Sequence, residues 1–257
     1  MKSFSELKKQ LKQDFSGKKP VRIAVLGDTA TQFFVQALRG VGYDLNFDFR
    51  IFEADFNQIE RQVFDTQSEL YEHKPEVVIL FQSTHKLLTR YNKLPEAQQT
   101  QLAALRIDEI KALTATIQTH LQAKILYFNY PEIDDSVFGN YAAQTELSFV
   151  FQTRKLNDEL QLFAASQTNF YLCDLAAIQN KIGRDTLFQP SIYVNTEMVL
   201  SVDALPLVAQ RTADTIAALY GKFKKCLILD LDNTVWGGVI GDDGLENIQL
   251  GSLGIGK

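Results

Sequence analysis

Val21-Arg-Ile-Ala-Val-Leu-Gly27 is the stretch that decides the fold, and a polar turn follows it directly. Its apolar, β-branched composition and its terminal glycine are typical of a short buried strand. Apolar residues then recur at helical spacing over 32–39, which predicts a helix that Gly40 and Gly42 can stop. A strand that leads at once into a helix is the repeating unit of an α/β fold.

The same alternation of strands and helices continues along the chain. Further strands are predicted at 44–54, 77–81, 124–129 and 170–175, and further helices at 102–121, 147–165 and 206–220. Strands that alternate with helices pair in parallel and are covered by helices on both faces. The sequence therefore predicts a three-layer α/β/α fold with a parallel sheet, in one domain that fills residues 1–220.

Polar side chains follow most of the predicted strands. In an open parallel sheet, ligands gather at the edge formed by the carboxyl ends of the strands. The residues predicted to lie there are Asp28, Thr29, residues 82–85, Asn129, Tyr130 and the loop after Asp174. A binding or active site of the first domain is expected at this edge.

The charge of the chain argues against a nucleic-acid partner. Its 257 residues include 31 acidic and 26 basic side chains, for a net charge of −5. A protein that binds nucleic-acid phosphates usually needs a basic surface. The first residues are polar, and the apolar runs are far too short to span a membrane. We therefore expect a cytoplasmic protein with no nucleic-acid partner and no membrane partner.

Cys173 and Cys226 are the two cysteines, and both lie in apolar runs with the composition of strands. Two buried, reduced thiols are the expected state in a reducing compartment. Because the sequence contains no cluster of cysteines and histidines, it offers no ligand set for a structural zinc ion.

A new pattern begins after Gly221. Cys226-Leu-Ile-Leu-Asp230 predicts another buried strand, and residues 240–257 are rich in glycine and aspartate. One strand and one loop cannot bury a hydrophobic core of their own. Residues 221–257 are therefore expected to be the beginning of a second domain.

Asp230-Leu-Asp232-Asn-Thr234 places two carboxylates two positions apart at the tip of that predicted strand. Such a pair suits phosphoryl transfer, because one carboxylate can attack phosphorus while the second protonates the leaving group and later activates water. Two carboxylates beside a phosphate repel one another, so we expect Asp230 and Asp232 to hold a hard divalent cation such as Mg²⁺. The alternative is an acidic loop that caps a helix, with Asn233 and Thr234 serving the turn.

The longer stretch 227–244 resembles motif I of the haloacid dehalogenase (HAD) phosphatase superfamily. The continuation Trp236-Gly-Gly-Val-Ile-Gly241 makes the resemblance specific to its FkbH-like members, subfamily IIIC. The resemblance implies that Asp230 is the nucleophile and a Mg²⁺ ligand, and that Asp232 is the general acid/base and lends its backbone carbonyl to the metal. Thr234 would support the loop. Residues 221–257 would be the truncated start of a Rossmann-like HAD domain.

The same resemblance implies catalytic residues from later in the HAD domain, namely a Ser or Thr, a Lys and a further acidic pair. None of them can be placed before Lys257. We therefore expect this chain to be the N-terminal part of a longer enzyme, and to be inactive as a phosphatase by itself.

FkbH-like proteins carry an N-terminal domain related to SGNH hydrolases, and residues 21–220 are similar to it. The resemblance implies an SGNH- or flavodoxin-like sheet, in which Gly27-Asp28-Thr29 stands where SGNH hydrolases keep Gly-Asp-Ser. Thr29 would then occupy the position of the nucleophile. The usual Asp-x-x-His is replaced by Asp203-Ala-Leu-Pro206, so the base is missing unless His85 substitutes for it.

A degenerate hydrolase site made of Asp28, Thr29, His85 and Asp203 is therefore one interpretation of the first domain. The other interpretation is purely structural. Asp28 and Thr29 are residue types that cap helices, and they directly precede the helix predicted to begin near Thr31. The second interpretation is the favoured one.

The resemblance implies that the intact protein is a Mg²⁺-dependent phosphatase or phosphotransferase that acts on a phosphorylated small molecule. Some FkbH-like proteins remove phosphate from a phosphoglyceryl unit and load the glyceryl group on an acyl carrier protein, which would then be the partner. The alternative is that residues 1–220 form a non-catalytic module that binds a carrier protein or the substrate. An SGNH-type esterase is a third, less favoured hypothesis.

Overall fold

The fold is taken from a computed structural model that describes residues 1–223 and 225–249. Its sheet has five parallel strands in the spatial order β2-β1-β3-β4-β5. The strands are Lys19–Gly27 (β1), Phe47–Glu53 (β2), Val77–Phe81 (β3), Lys124–Phe128 (β4) and Phe170–Cys173 (β5). The predicted parallel α/β sheet is confirmed, with each of these strands at the place that the sequence indicates.

Helices flank the sheet and connect its strands. In chain order they are Phe4–Gln10 (α1), Gln32–Asp44 (α2), Ile59–Phe64 (α3), Glu69–His73 (α4), Thr84–Tyr91 (α5), Glu96–Gln99 (α6), Leu102–His120 (α7), Phe149–Ser166 (α8), Leu175–Ile182 (α9), Arg184–Leu187 (α10), Pro190–Thr196 (α11), Leu205–Leu219 (α12) and Ile240–Asp243 (α13). A 3₁₀ helix, Gly139–Gln144, precedes α8. The long helices predicted near 102–121, 147–165 and 206–220 correspond to α7, α8 and α12.

Both faces of the sheet are covered, because successive residues of a strand point to opposite faces. On one face, Leu26 and Leu80 belong to a continuous core with α7 and α8, to which Ile110 and Leu156 contribute. On the other face, the ring of Phe128 meets the ring of Phe34 from α2, with centroids 5.7 Å apart. This burial on two faces explains why β3 reads as an uninterrupted apolar run.

The prediction that Gly40 and Gly42 stop α2 is wrong, since the helix continues through both of them to Asp44. A Cβ atom on Gly40 would lie 2.5 Å from the backbone oxygen of Leu7 in α1. A Cβ atom on Gly42 would lie 2.5 Å from the ring of Phe49 in β2. The glycines are therefore required by the close approach of neighbouring elements, which outweighs their low helix propensity.

The chain divides into two compact units, Met1–Ile216 and Ala217–Lys257. In the second unit, the buried strand predicted at 226–230 is wrong: these residues form no strand, and Ile228 is 90% exposed. A strand is stabilised by hydrogen bonds to a neighbouring strand, and no described strand pairs with this one. Cys226 is consequently exposed, whereas Cys173 in β5 is buried as expected.

Within the described part of the chain, no helix combines the length and the apolar character that crossing a lipid bilayer requires.

Candidate functional sites

Asp232 is held by two local hydrogen bonds. Its Oδ1 accepts one from the indole Nε1 of Trp236 and one from the backbone N–H of Ile240, both at 3.1 Å. The carboxylate is half-buried, while Asp230 and Thr234 are exposed. The loop thus fixes one oxygen of Asp232 and leaves the carboxylate of Asp230 accessible.

A tight turn closes the loop after Asp232. Asn233 has a positive φ of 55°, its backbone N–H donates to the carbonyl of Gly238 at 3.2 Å, and its Oδ1 accepts from the N–H of Gly238 at 3.0 Å. Gly238 itself has a φ of 106°, and a Cβ atom there would lie 2.9 Å from the carboxylate of Asp243. The turn therefore needs glycine at this position, which gives the Trp-Gly-Gly continuation a structural reason.

Asp28 follows β1 and lies beside the N-terminus of α5. Both of its carboxylate oxygens are 2.9 Å from the backbone N–H of Ser83, which donates to them. Asp28 is half-buried, and its exposed part faces a cavity. The rest of the carboxyl group is surrounded by protein atoms. Burial raises the pKa of Asp28 to about 7, against the opposing effects of the Ser83 N–H and the nearby Arg106.

The interpretation of Asp28 and Thr29 as caps of α2 is wrong. The residue at the N-cap is Thr31, and its hydroxyl donates to the carboxylate of Glu53 at 2.6 Å instead of accepting from the helix. Asp28 accepts from the start of α5, a different helix. Thr29 is completely buried, and its hydroxyl oxygen has no hydrogen-bond partner.

The other residues of the predicted hydrolase site do not form a nucleophile and base with Thr29. His85 is half-buried, its Nδ1 has no hydrogen-bond partner, and its ring lies between those of Phe188 and Tyr193, with centroids 4.9 and 4.7 Å away. Burial lowers the pKa of His85 to about 4, so the ring is neutral near pH 7. Asp203 is exposed, just before α12.

A cavity of about 160 Å³ lies at the carboxyl ends of β1 and β3, beside Asp28. Polar and charged side chains dominate its wall, among them Asp28, Gln82, Ser83, Lys86, Arg106 and Tyr130. The position agrees with the edge of the sheet at which the sequence predicts ligands. Of the residues predicted there, Asn129 instead donates to Asp174 at 2.8 Å, and Asp174 caps α9.

A directional chain of hydrogen bonds runs along the wall of this cavity. Tyr127 donates its hydroxyl proton to Oε1 of Gln82 at 2.8 Å, so Tyr130 must donate to Tyr127 across their 2.5 Å contact. The Nε of Arg106 in turn donates to the hydroxyl of Tyr130 at 3.2 Å. The chain fixes the orientation of the Gln82 amide, with its oxygen toward Tyr127.

Two ion-pair groups set the charge around the cavity. Arg90 and Arg106 both donate to the carboxylate of Glu109, at 2.6–2.7 Å, and Lys86 pairs with Glu197 at 2.6 Å. Burial opposes ionisation of Glu109, but the two guanidinium groups outweigh it and lower the pKa of Glu109. Two guanidinium groups that share one carboxylate leave a net positive charge.

The sequence of the chain matches a family model described as FkbH, N-terminal domain, over residues 22–217. The chain belongs to this family. No curated protein sequence matches the chain.

A solved structure matches the chain over its whole length. It is the crystal structure of the N-terminal part of the protein BF1531 from Bacteroides fragilis, which contains a phosphatase domain and is complexed with Mg. The two are 48% identical with a TM-score of 0.92, and the match covers 100% of this chain and 68% of that chain. The lipase Lip_vut3 from a goat rumen metagenome matches at 13% identity with a TM-score of 0.51, over 76% of this chain and 96% of that chain. At that identity the likeness shows the fold alone, which the FkbH domain shares with SGNH hydrolases.

The Asp230 loop of this FkbH chain fits Mg²⁺ as part of a ligand set. Within residues 1–223 and 225–249, no group of three or more His, Cys, Asp or Glu side chains could hold a metal ion. Mg²⁺, however, is commonly held by one or two carboxylates together with substrate phosphates and water. Asp230 and Asp232 offer the hard oxygen donors that it prefers.

The motifs of the sequence do not indicate the cavity residues Lys86 and Arg106 of the FkbH domain, nor Tyr127 in the hydrogen-bond chain beside the cavity. A signal for Arg106 exists, because it occupies an inward position of α7 at helical spacing from Ala103 and Ile110, where an apolar residue is expected. A charged residue at such a position needs a buried partner. No comparable signal marks Lys86, whose partner Glu197 is distant in sequence.

Proposed function

We propose that this chain supplies the nucleophile loop of a Mg²⁺-dependent HAD-type phosphatase or phosphotransferase. The Asp-x-Asp pattern of Asp230 and Asp232, in a chain 48% identical to a Mg-complexed protein with a phosphatase domain, carries the proposal. The local geometry supports it, because Asp230 is exposed to an incoming phosphate while Asp232 is oriented by Trp236 and Ile240.

The two carboxylates have different roles in the proposed reaction. An oxygen of Asp230 bonds to phosphorus, the bond from phosphorus to the leaving oxygen breaks, and Asp232 gives its proton to that oxygen. Asp232 then takes a proton from water, whose oxygen displaces the Asp230 carboxylate from phosphorus. Bound Mg²⁺, held by Asp230 and Asp232, would offset the repulsion between phosphate and carboxylates.

The finer proposal concerns the substrate and the acceptor. We propose a phosphorylated small molecule as the substrate and, from the FkbH resemblance, the transfer of a glyceryl group to an acyl carrier protein. Membership of the FkbH family supports this assignment. It requires that the longer protein release phosphate from a phosphoglyceryl substrate and that the carrier protein gain the mass of the glyceryl group.

The test of the nucleophile is Asp230→Asn in the longer protein, assayed with an aryl phosphate and Mg²⁺. We expect the rate to fall by roughly a thousandfold or more, since the attacking oxygen is lost. Asp242→Asn is the matched control, because it makes the same change at an exposed position of the same segment and should leave the rate unchanged. Retention of the rate by Asp230→Asn would show that the nucleophile is another residue.

A non-catalytic role for the first unit is the second candidate function. The observation that favours it is the fully buried hydroxyl of Thr29, which has no hydrogen bond to a base. The carrier protein or the substrate would be its ligand. We expect saturable binding of a carrier protein to the 257-residue chain and no esterase activity. Esterase activity that disappears in Thr29→Ala would contradict this role.

A further inference from the structure

The cavity beside Asp28 contains charged and polar groups that the proposed phosphatase chemistry does not use. Arg106 is only 8% exposed and Gln82 only 4% exposed, although both line this cavity. Burying a guanidinium and an amide costs free energy unless their hydrogen bonds are made. Buried polar groups that line a cavity at the carboxyl ends of parallel strands are characteristic of a ligand-binding site.

The hydrogen-bond donors on the wall outnumber their internal acceptors. Arg106 uses Nε for Tyr130 and Nη1 for Glu109, which leaves Nη2 for another acceptor. Gln82 turns its oxygen to Tyr127, so its NH₂ group is the free end of the chain. Lys86 donates to Glu197 and carries further N–H groups. These donors match the oxygens of one small anionic group.

The charge of the site limits that group to a single negative charge. Arg90 and Arg106 share Glu109 and leave one positive charge, while Lys86 and Glu197 cancel each other. Glu60 also lines the cavity, but it is exposed, so water and salt screen its charge. Asp28 is the resident group that can balance the remaining charge. If Asp28 carries a proton, one monoanion neutralises the site, whereas a dianion leaves an excess of negative charge in a poorly solvated place.

We infer that the cavity binds a small organic molecule through one carboxylate group. The oxygens of this carboxylate accept hydrogen bonds from Arg106, Gln82 and Lys86. Asp28 in its protonated form donates a hydrogen bond to the same carboxylate. Every residue of the site belongs to the unit Met1–Ile216, so the inference does not depend on the proposed phosphatase function.

Binding is coupled to proton uptake at Asp28. The groups around its carboxyl are Lys86 from α5, Arg106 from α7, Glu60 at the rim, and the phenols Tyr127, Tyr130 and Tyr193. The pKa of Asp28 is about 7 in the empty site, and an incoming carboxylate raises it further. Affinity is therefore constant at lower pH and falls by up to about tenfold per pH unit above 7.

The test titrates the 257-residue chain with acetate, glycolate and lactate, followed by the side-chain NMR signals of Gln82 and Arg106. The matching amides and inorganic phosphate are the control probes. We expect at least one carboxylate to shift these signals saturably, and its amide to have no effect. Equal shifts with the amide, tighter binding of phosphate, or no saturable shift by any carboxylate up to roughly 100 mM would each overturn the inference.

Two variants separate the roles of the side chains. Asp28→Asn should remove the pH dependence of binding, because the amide donates a hydrogen bond at every pH. Lys86→Met should weaken binding several-fold, while Lys111→Met, which lies outside the cavity and pairs with Asp108, should not change it. An unaltered pH dependence in Asp28→Asn would overturn the role of Asp28.

Discussion

The cavity beside Asp28 and the loop around Asp232 are held together in different ways. The cavity joins residues that follow β1, β3 and β4 with residues of α3, α5 and α7, and its contacts connect positions that are distant in the sequence, such as Asp28 and Ser83. The loop is held by contacts between near neighbours, such as Asp232 with Trp236 and Ile240. The first arrangement depends on the whole unit Met1–Ile216, whereas the second is largely specified by its own short sequence.

This difference teaches where each kind of site can be recognised. A locally held loop keeps its functional residues within one motif, so the motif alone reveals them. A site assembled by the fold distributes its residues over the chain, and they become visible only when the sheet brings them together. A substitution in the first unit should therefore lower the free energy of unfolding more than a substitution in the loop or at the surface.

Arg106→Met should give the largest effect on stability. It removes the donor to the Tyr130 hydroxyl and leaves Glu109 with Arg90 alone, so we expect the free energy of unfolding to fall by about 2–4 kcal/mol. The control Arg154→Met removes the exposed ion pair with Glu132 and should cost about 0–1 kcal/mol. Urea unfolding followed by far-ultraviolet circular dichroism measures both. Equal losses would mean that the buried charge does not stabilise the first unit.

Gly42→Ala should destabilise the first unit by about 1–3 kcal/mol, because the added methyl group meets the ring of Phe49. Gly241→Ala is the matched change in the second unit, where a Cβ atom meets open space. It should be neutral or slightly stabilising, as alanine favours a helix. The single tryptophan, Trp236, reports on the second unit by fluorescence, and circular dichroism reports mainly on the first. A neutral Gly42→Ala would contradict the close packing of α2 against β2.

The smallest of the three effects is expected from Asp28, through the pH dependence of the free energy of unfolding. The pKa of an aspartate is usually 3.8, whereas the pKa of Asp28 is about 7 in the folded protein. Between pH 3.8 and about 7, the native state therefore keeps a proton on Asp28 that the unfolded chain has released. The contribution of Asp28 to stability therefore falls as the pH rises toward about 7 and then levels off, whereas His85, with its lowered pKa of about 4, contributes a rise up to about pH 6.5.

Asp28→Asn should remove the contribution of Asp28, so its stability relative to the unaltered protein should rise with pH up to about 7, whereas the exposed control Asp203→Asn should follow the unaltered protein. The measurement is the Tm of each variant from roughly pH 5 to pH 8. A pH profile of Asp28→Asn that matches the unaltered protein would show that Asp28 does not make this contribution.

The sequence alone predicts the sheet because β1 and β3 are apolar runs whose burial on two faces is visible in their composition. It fails where distant contacts decide the outcome. Gly40 and Gly42 look like helix stops until Leu7 and Phe49 are seen against them. The apolar run at 226–230 has the composition of a strand. A strand also needs hydrogen bonds to a neighbouring strand, and the composition of the run does not show whether one is present.

The candidate sites follow the same division. Asp230 and Asp232 are indicated by a contiguous motif, and their catalytic role stays a prediction. Asp28 is indicated by the sequence, but the Ser83 N–H that donates to it and the nearby Arg106 are not, because they come from other elements of the fold. The hydroxyl of Thr29 resembles a nucleophile in the sequence, although burial removes it from any base.

The most direct measurement of the proposed chemistry is the mass of the longer protein after brief reaction with an aryl phosphate and Mg²⁺. We use Asp232→Asn for this purpose, because loss of the general base slows hydrolysis of the aspartyl phosphate. We expect a phosphate adduct that peptide mapping places on Asp230 and that is absent from the double variant with Asp230→Asn. An adduct on another residue, or phosphatase activity that persists in Asp230→Asn, would contradict the proposed function.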